Sequence, residues 1–191
     1  MRDKTTIEEN VSMGIPRIYW KEYLDEIQPL NEEQKEYIDK LTKLLHGEFW
    51  SLCVLGTVGN GKTRLACALC SLYEYLEPYS VKYTTQEALV DECKASFSAD
   101  GTSELEVVRK YSTCRLLVLD ELTQRGWTDY AKNLVQRILS FRHAQRLRTV
   151  VIGNLDVQTF KTMFDDHILS RFREGRTQLM TAPDMRLNGG F

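Results

Sequence analysis

The sequence predicts an α/β fold in which a parallel five-stranded sheet is flanked by helices. Short apolar runs, of the length expected for buried strands, alternate along the chain with longer segments of helical periodicity. A glycine-rich loop also joins the first of these apolar runs directly to a helical segment. Strands that are separated by helices favour parallel pairing through right-handed crossovers. We therefore expect one layer of strands with helices on both faces.

The elements can be assigned in chain order from apolar spacing and capping residues. Residues 31–46 are predicted to form an amphipathic helix, because Asn31 followed by two glutamates is a typical helix start. Its apolar face comprises Tyr37, Ile38, Leu41, Leu44 and Leu45. The predicted strands are 49–55, 81–84, 114–121, 148–152 and 176–181, the further helices are 62–76, 86–97, 129–146 and 166–175, and residues 98–103 form a turn.

A phosphate-binding motif lies between the first strand and the helix that follows it. Residues 56–63 read Gly-Thr-Val-Gly-Asn-Gly-Lys-Thr, which is the full P-loop spacing. The glycines let successive backbone N–H groups turn towards phosphate oxygens, and the start of the helix adds its positive dipole end. We expect Lys62 to reach the β- and γ-phosphates of a nucleoside triphosphate and Thr63 to hold Mg²⁺. The predicted nucleotide-binding residues are Gly56, Thr57, Val58, Gly59, Asn60, Gly61, Lys62, Thr63 and Arg64.

Polar residues follow two other predicted strands at the same edge of the sheet. Asp120 and Glu121 end the strand 114–121, and Asn154 follows the strand 148–152. Asp120 is predicted to bind the Mg²⁺ shell together with Thr63, and Glu121 to polarise the water that attacks the γ-phosphorus. The amide of Asn154 can orient that water or contact the γ-phosphate. The pair of acids favours hydrolysis over phosphoryl transfer to a small acceptor.

Composition limits the class of protein. The chain has 191 residues and a formal net charge of −2, which suits one α/β domain with a short extension. No apolar run approaches the length of a membrane span, and the amino end has no hydrophobic signal region. We expect a cytoplasmic protein without membrane contact. Cys67 and Cys70 form a C-x-x-C pair, but they lie within a predicted helix and lack a second ligand pair, so we expect them to pack on the sheet.

Charge is unevenly distributed along the chain. Residues 1–48 carry seven Lys and Arg against eleven Asp and Glu, so this part is acidic. A basic stretch follows later, in which Asp129 is the only acid and the basic residues are Lys132, Arg137, Arg142, Arg146 and Arg148. Such a stretch is either a solvated helix face or a ridge that contacts nucleic-acid phosphates.

Four segments taken together resemble the AAA+ ATPases of the DnaC and IstB type, which are helicase loaders and transposition helper ATPases. They are residues 56–63, 116–121, 150–156 and 168–175. The resemblance covers about residues 47–182 and a lead-in at 13–20. It implies a P-loop AAA+ core at 47–191 without a C-terminal helical lid, preceded by an acidic helical extension at 1–46 that could dock a partner.

The resemblance also assigns roles to individual residues. Asn154 matches the sensor-1 position and Arg171 matches the arginine finger, with Arg173 as the alternative finger. Ser170 stands where the family commonly has Asp, which removes a carboxylate that could orient the finger. Arg186 is a weaker match to the sensor-2 arginine.

The function that the resemblance implies is an ATP-dependent helicase loader. Mg·ATP would bind between neighbouring subunits of a homo-oligomer, Glu121, Asn154 and Arg171 would support hydrolysis, and the assembly would bind single-stranded DNA and deliver a replicative helicase. Lys94, Lys132 and Arg137, with the aromatic residues Trp127, Tyr130 and Phe141, are the predicted DNA contacts.

Three alternatives remain open at this point. An IstB-like transposition helper shares the same motifs. A monomeric P-loop kinase would need a substrate insertion and a lid arginine cluster, neither of which the sequence contains. A switch that holds ATP without hydrolysing it is disfavoured by the presence of Glu121.

Overall fold

A computed structural model describes residues 5–97 and 103–184, and it contains a single parallel sheet with helices on both sides. The strands are β1 (Ser51–Gly56), β2 (Val81–Thr85), β3 (Leu116–Leu122), β4 (Arg148–Gly153) and β5 (Arg176–Met180). The helices are α1 (Ile7–Met13), α2 (Glu32–Leu45), α3 (Lys62–Leu76), α4 (Gln86–Ala95), α5 (Glu104–Thr113), α6 (Asp129–Ala144), α7 (Val157–Met163) and α8 (Asp166–Glu174), with 3₁₀ turns at Arg17–Tyr19 and Leu24–Glu26.

The strand order places the P-loop strand inside the sheet. The order is β2-β3-β4-β1-β5, and every neighbouring pair is parallel. In β1, Val54 lies opposite Ile152 of β4 and Gln178 of β5. Parallel strands end at the same edge, so the residues that follow β1, β3 and β4 meet there. The predicted fold class, a parallel five-stranded sheet flanked by helices, is confirmed.

Successive side chains of β1 point to opposite faces of the sheet and pack into two separate layers of the core. Leu52 and Val54 pack on the side that carries α2 and α3, whereas Cys53 and Leu55 pack on the side that carries α4 to α8. All four side chains are buried. Because neither face of β1 meets solvent, the strand reads as an almost continuous apolar run.

The amino-terminal segment packs on the same layer as α3. Met13, Ile15 and Leu24 belong to the hydrophobic cluster that includes the apolar face of α2. The predicted helix over residues 31–46 is observed at Glu32–Leu45, with the Asn31 side chain accepting the Gln34 N–H. Residues that precede the first strand therefore form part of the wall beside the P-loop helix.

Several boundaries differ from the predictions, and three helices were not predicted. The strand predicted over 114–121 is observed at Leu116–Leu122, so it continues past the two acids, and α4 ends at Ala95 rather than 97. Helices α1 and α7 were missed because they have only seven residues each. Helix α5 was missed although a signal for it existed, since Ser103 and Glu106 form a capping box. The predicted turn at 98–103 and Arg186 lie largely or wholly outside the described residues.

The basic stretch in α6 and β4 is not a continuous exposed ridge. Arg142 is fully buried and donates hydrogen bonds to the Tyr111 carbonyl at 2.9 Å, the Cys114 carbonyl at 2.7 Å and Thr149 Oγ1 at 2.9 Å. It thereby satisfies carbonyls at the end of α5. The interpretation of Arg142 as a phosphate contact is wrong, because sequence shows charge but not whether a cation points outwards.

Among the described helices, none combines the length and the apolar character needed to cross a bilayer.

Cys67 and Cys70 are both fully buried in α3 and pack in the hydrophobic cluster against the sheet, as the sequence predicts. Burial raises the pKa of both thiols.

Candidate nucleotide-binding site

The P-loop connects β1 to α3 through backbone conformations that favour glycine. Gly56 has φ of 144° and Gly61 has φ of 90°, and Gly61 is the N-cap residue of α3. A side chain at Gly56 would overlap the backbone carbonyl of Met180 in β5. Close packing against β5 and the turn into α3 therefore both depend on glycine. The first N–H groups of α3 have no partners within the helix, which leaves them available to an anion.

The Lys62 side chain lies folded within the loop. It is 4% exposed, and its Nζ donates to the Gly56 carbonyl at 3.3 Å, to the Thr57 carbonyl, and to Asn60 Oδ1 at 3.1 Å. Asn60 in turn donates to the Met180 carbonyl at 2.5 Å. The ammonium group is thus held at the centre of the loop by flexible contacts that phosphate oxygens can replace.

Asp120 connects the P-loop to β3. Its carboxylate is 2% exposed, and Oδ2 accepts the Thr63 hydroxyl at 2.7 Å. Oδ1 accepts the backbone N–H of Glu121 at 2.6 Å. Thr63 lies in the first turn of α3, so one contact joins the two motifs that sequence analysis selected separately.

Glu121 occupies a strained position next to Asp120. Its φ of 54° is left-handed, and the β3–β4 register shifts between Leu119 and Leu122. Residues other than glycine rarely adopt this backbone conformation, which costs on the order of 1–3 kcal/mol. The irregularity turns the Glu121 side chain out of the sheet. Burial, and then the negative charge of Asp120, raise the pKa of Glu121 above its ordinary value.

Lys62, Thr63 and Glu121 border one cleft of about 1050 Å³ that is open to solvent. Its lining residues are Pro16, Ile18, Tyr19, Val58, Gly59, Asn60, Gly61, Lys62, Thr63, Arg64, Tyr83, Glu121 and Asn154. Three predicted site residues do not line it. Gly56 and Thr57 border a neighbouring cleft together with Asn154, and Asp120 is buried next to Thr63.

Sequence reasoning did not include the amino-terminal wall of the cleft among the site residues. Pro16, Ile18 and Tyr19 belong to the lead-in segment, and Ile18 is 78% exposed. Arg64 holds this segment in place, since its guanidinium pairs with both carboxylate oxygens of Glu22 at 3.1 and 3.0 Å. The resemblance marks this segment as a lead-in but does not place it at the cleft, because only the packing of the segment on α3 brings it there.

The residues after β5 were also missed. Glu33 of α2 accepts hydrogen bonds from Thr181 N at 2.8 Å, Thr181 Oγ1 at 2.7 Å and Ala182 N at 2.9 Å. The Asp184 carboxylate reaches Gly59, where an added side chain would overlap it. Partial desolvation acts to raise the pKa of Glu33, but the hydrogen bonds from residues 181 and 182 outweigh it and lower the pKa below its ordinary value. The segment 181–184 thus runs over one side of the P-loop.

Arg171 does not line the cleft of its own chain. It borders a small apolar cavity with Trp50 and Ser51, at the start of β1, and its Nη1 is buried without a hydrogen-bond partner among the described residues. The P-loop follows the other end of β1, roughly 17 Å along the strand. Arg173, two residues later on α8, is exposed.

A second cleft, the α4 cleft, lies on the other side of Glu121. It has a volume of about 1070 Å³ and is lined by Gln86, Glu87, Val90, Asp91, Lys94, Glu121, Thr123, Arg125, Gly126 and Thr128. Gln86 accepts the Thr123 N–H at 3.0 Å and donates to the Arg125 carbonyl at 3.2 Å. Helix α4 therefore holds the segment that follows Glu121.

The residues present fit a magnesium nucleotide. The loop at Gly56 and Gly61 leaves room for a ligand close to the backbone, and the N–H groups in the first turn of α3 have no acceptor within the helix. Thr63 and Asp120 supply the hydroxyl and carboxylate oxygens that Mg²⁺ prefers. Lys62 supplies the positive charge for the phosphates.

Comparison with known proteins agrees with this geometry. A profile of the family described as IstB-like ATP binding protein matches residues 28–172, which include both motifs of the site. The chain belongs to the IstB-like ATP-binding family. The fold class expected from the sequence, a parallel five-stranded sheet flanked by helices, is the one observed.

Relatives of the chain include proteins named replicative helicase loader DnaC. The Escherichia coli (strain K12) protein is 25% identical over 143 residues, which cover 75% of this chain and 56% of the relative. The chain thus spans little more than half the length of that relative. The protein from Buchnera aphidicola of Acyrthosiphon pisum is 25% identical over 197 residues, covering 95% of this chain and 78% of the relative.

A solved structure described as the DnaC helicase loader superposes on the chain with a TM-score of 0.71. The two are 19% identical, and the match covers 87% of this chain and 100% of that one. At this identity the likeness concerns the fold. The AAA+ core has no helical lid among the residues that the structure describes after β5, which end at 184.

Proposed function

We propose that this protein is an ATP-dependent helicase loader that binds Mg·ATP at the P-loop, hydrolyses it, binds single-stranded DNA and delivers a replicative helicase. The observation that carries the proposal is the contact of Thr63 with Asp120 at the edge of a cleft that Lys62, Glu121 and Asn154 also line. The relatives named replicative helicase loader DnaC support the choice of partner.

In this proposal the P-loop residues bind and orient the triphosphate. Backbone N–H groups of residues 59–63 and the Lys62 ammonium group contact the phosphates, while Thr63 and Asp120 hold Mg²⁺. When bound, Mg²⁺ neutralises charge on the phosphate oxygens. Lys62 leaves its contacts with the Gly56 and Thr57 carbonyls for the phosphates.

Glu121 is proposed to be the general base for water. Its strained conformation turns the carboxylate towards the cleft, and its raised pKa makes it a better proton acceptor than an ordinary glutamate at neutral pH. Asn154 is exposed at the end of β4 and lines the same cleft, so its amide can orient the attacking water. Asp120 is held by three hydrogen bonds and stays beside the metal rather than accepting the proton.

The proposed assembly is a homo-oligomer with ATP between subunits. Arg171 lies near the start of β1, whereas the P-loop follows its end, so Arg171 cannot reach the nucleotide of its own chain without rearrangement of α8. In a neighbouring subunit the same residue can complete the site. Arg173 is exposed on the same helix and is the alternative finger. The residues before β1 are proposed to dock the helicase.

Single-stranded DNA is proposed to bind near the end of α4. Lys94 is exposed there, Arg125 lines the α4 cleft beside it, and Phe97 is 65% exposed with its ring against Tyr130. Basic groups beside an exposed aromatic ring suit single-stranded binding. Trp127 is less suitable than the sequence alone indicated, because its indole N–H donates to the Met163 carbonyl.

Steady-state ATP hydrolysis with and without single-stranded DNA tests the proposal. We expect DNA to stimulate turnover at protein concentrations that allow assembly, and we expect Arg171→Ala to abolish the stimulation. Arg173→Ala tests the alternative finger on the same helix, and Arg109→Ala, an exposed arginine of α5, is the control. Turnover that does not respond to DNA and survives both Arg171→Ala and Arg173→Ala would contradict the loader mechanism and favour a self-contained P-loop enzyme.

The family description favours a second candidate, an IstB-like helper of a transposase. Binding of the purified chain to the host's replicative helicase or to its IS21-type transposase separates the two. Co-elution with the helicase in an ATP-dependent complex supports the loader. Co-elution with the transposase alone supports the helper.

A further inference from the structure

The Asp120 carboxylate has a third hydrogen-bond donor that neither motif contains. Besides Thr63 and the backbone of Glu121, the hydroxyl of Tyr83 donates to Asp120 Oδ2 at 2.9 Å. Oδ2 therefore accepts hydrogen bonds from two hydroxyl groups that belong to two different elements. One comes from the helix that follows the P-loop and the other from the edge strand β2.

Tyr83 is built into the core in a way that fixes its hydroxyl. Its side chain packs in the hydrophobic cluster with residues of α3, and the residue is 6% exposed. It lies opposite Val118 in the β2–β3 register, two positions before the pair of Thr85 with Asp120. Its backbone carbonyl meets Gly14 so closely that a side chain there would overlap it. Tyr83 thus lies between the amino-terminal wall of the cleft and the metal-binding acid.

The chemistry of the pair makes Tyr83 the donor, because a carboxylate oxygen can only accept a hydrogen bond. A protonated phenol can donate only one hydrogen bond, and this one goes to Asp120 Oδ2. The ring also lines the nucleotide cleft, so the hydroxyl lies at the boundary between the core and the space that a ligand enters.

We propose that Tyr83 is a positioning residue that holds Asp120 in the orientation in which Asp120 and Thr63 bind Mg²⁺, and so sets the Mg²⁺ concentration that nucleotide binding requires. This inference rests on the proposed function of the P-loop. Thr63 is the other donor to the same oxygen, and its hydroxyl must also serve the metal. Tyr83 is the donor that has no such second task.

Without the phenol hydroxyl, Asp120 keeps its other two donors but loses the one that is anchored in the core. The carboxylate can then rotate, and the pair of oxygens from Asp120 and Thr63 is less well preorganised. Loss of a group that orients a metal ligand typically weakens metal binding about 10- to 100-fold. Contacts of the P-loop backbone and Lys62 with phosphates are unaffected, because Tyr83 is not hydrogen-bonded to them.

The test is nucleotide binding by Tyr83→Phe, measured with a fluorescent ATP analogue over a range of Mg²⁺ concentrations and in EDTA. Tyr111→Phe is the matched control, since Tyr111 is equally buried at 4% and donates to the Glu92 carboxylate at 2.5 Å, away from the cleft. We expect Tyr83→Phe to raise the half-saturating Mg²⁺ concentration about tenfold or more, with binding in EDTA changed less than about twofold. Tyr111→Phe should leave both values unchanged.

A double-mutant cycle with Asp120→Asn separates positioning from a general loss of stability. If Tyr83 acts through Asp120, Tyr83→Phe should add little to the Mg²⁺ requirement of Asp120→Asn. An unchanged Mg²⁺ requirement in Tyr83→Phe, or an equal additional loss in the Asp120→Asn background, would overturn the inference while the proposed function stands. Absence of Mg²⁺-dependent nucleotide binding in the wild-type protein would overturn both.

Discussion

The hydroxyl of Thr63 lies 2.7 Å from a carboxylate oxygen of Asp120, although the two residues are 57 positions apart in the chain. One lies in the first turn of α3 and the other lies near the end of β3. Strands β1 and β3 are separated in the sheet by β4. The contact between the two motifs is therefore made by a residue of α3, the helix that follows β1, and not by β1 itself.

Replacement of Lys62 by Ala should abolish tight nucleotide binding without unfolding the chain. The ammonium group donates to neutral oxygens of its own loop at Gly56, Thr57 and Asn60. Loss of a buried charged contact with phosphate costs about 2 kcal/mol or more, or roughly 30-fold in affinity. Equilibrium binding of labelled ATP measures the change. Lys161→Ala, an exposed lysine of α7, should bind as the wild type does, and nucleotide binding by Lys62→Ala at wild-type affinity would contradict the assignment.

Replacement of Glu121 by Gln should separate binding from hydrolysis. The isosteric amide cannot accept a proton, so turnover should fall about 10²- to 10⁴-fold while ATP affinity is retained. Because the pKa of Glu121 is raised, the acid limb of the wild-type rate profile should lie at higher pH than for an ordinary glutamate, and turnover should fall as pH drops through it. Glu87→Gln on α4 is the control. Turnover of Glu121→Gln near the wild-type rate would show that another base acts.

Subunits that lack different halves of the site should complement each other. Arg171→Ala should reduce hydrolysis about 10³-fold or more, as should Lys62→Ala, but a mixture of the two should recover part of the activity. Recovery is expected because some interfaces then combine an intact P-loop with an intact Arg171 of a neighbour. Turnover of the mixture no greater than the sum of its parts would argue against a shared site. The same mixture made with Arg173→Ala identifies which arginine acts.

Replacement of Arg142 by Lys should destabilise the fold strongly. The guanidinium serves carbonyls of Tyr111, Cys114 and Arg148 together with Thr149 Oγ1, and an ammonium group cannot reach all of them. We expect a loss of about 3 kcal/mol and a fall in Tm of roughly 6–12 °C. Arg137→Lys, which alters a half-exposed arginine paired with Glu104, should change Tm by no more than about 2 °C. Thermal denaturation of both variants decides the matter.

Glu33 should contribute stability that depends on pH. Its pKa is lower in the folded state than in the unfolded chain, so its contribution is complete above pH 4.5 and is lost as pH falls through the folded value. Wild-type protein should therefore be more stable than Glu33→Gln at pH 7, and the difference should shrink towards pH 3. Glu32→Gln, an adjacent exposed acid on α2, should follow the wild type. If the stability of wild type and of Glu33→Gln depended on pH in the same way, the hydrogen bonds from residues 181 and 182 to Glu33 would not be the source of the pH-dependent stability.

Much of the fold could be predicted because it depends on local patterns. Buried parallel strands such as β1 and β3 are continuous apolar runs, and α2 shows both its cap at Asn31 and its apolar face at helical spacing. Short helices such as α1 and α7, of seven residues each, are too brief to show periodicity. They form because tertiary packing stabilises them.

The candidate site divides in the same way. Residues 56–64, Asp120, Glu121 and Asn154 could be selected because each lies in a contiguous motif at the end of a strand. Tyr83, Glu22 and Glu33 could not, since no neighbour in sequence marks them, and the lead-in residues 16–19 were noticed but could not be placed at the cleft. They reach the cleft only through β2, the lead-in segment and α2, which the fold brings together from distant parts of the chain.

By itself, the sequence determined the fold class, the P-loop and the pair of acids, because hydrophobic periodicity and glycine conformations act over a few residues. Only the tertiary structure decided which charged groups are buried and which groups complete the site. Arg142 and Lys132 look alike in sequence, yet the first is enclosed by carbonyls and the second pairs with Asp165 at the surface. The reason is physical: the energy of a charge depends on its solvation and its partners, and both are set by residues far away in the chain.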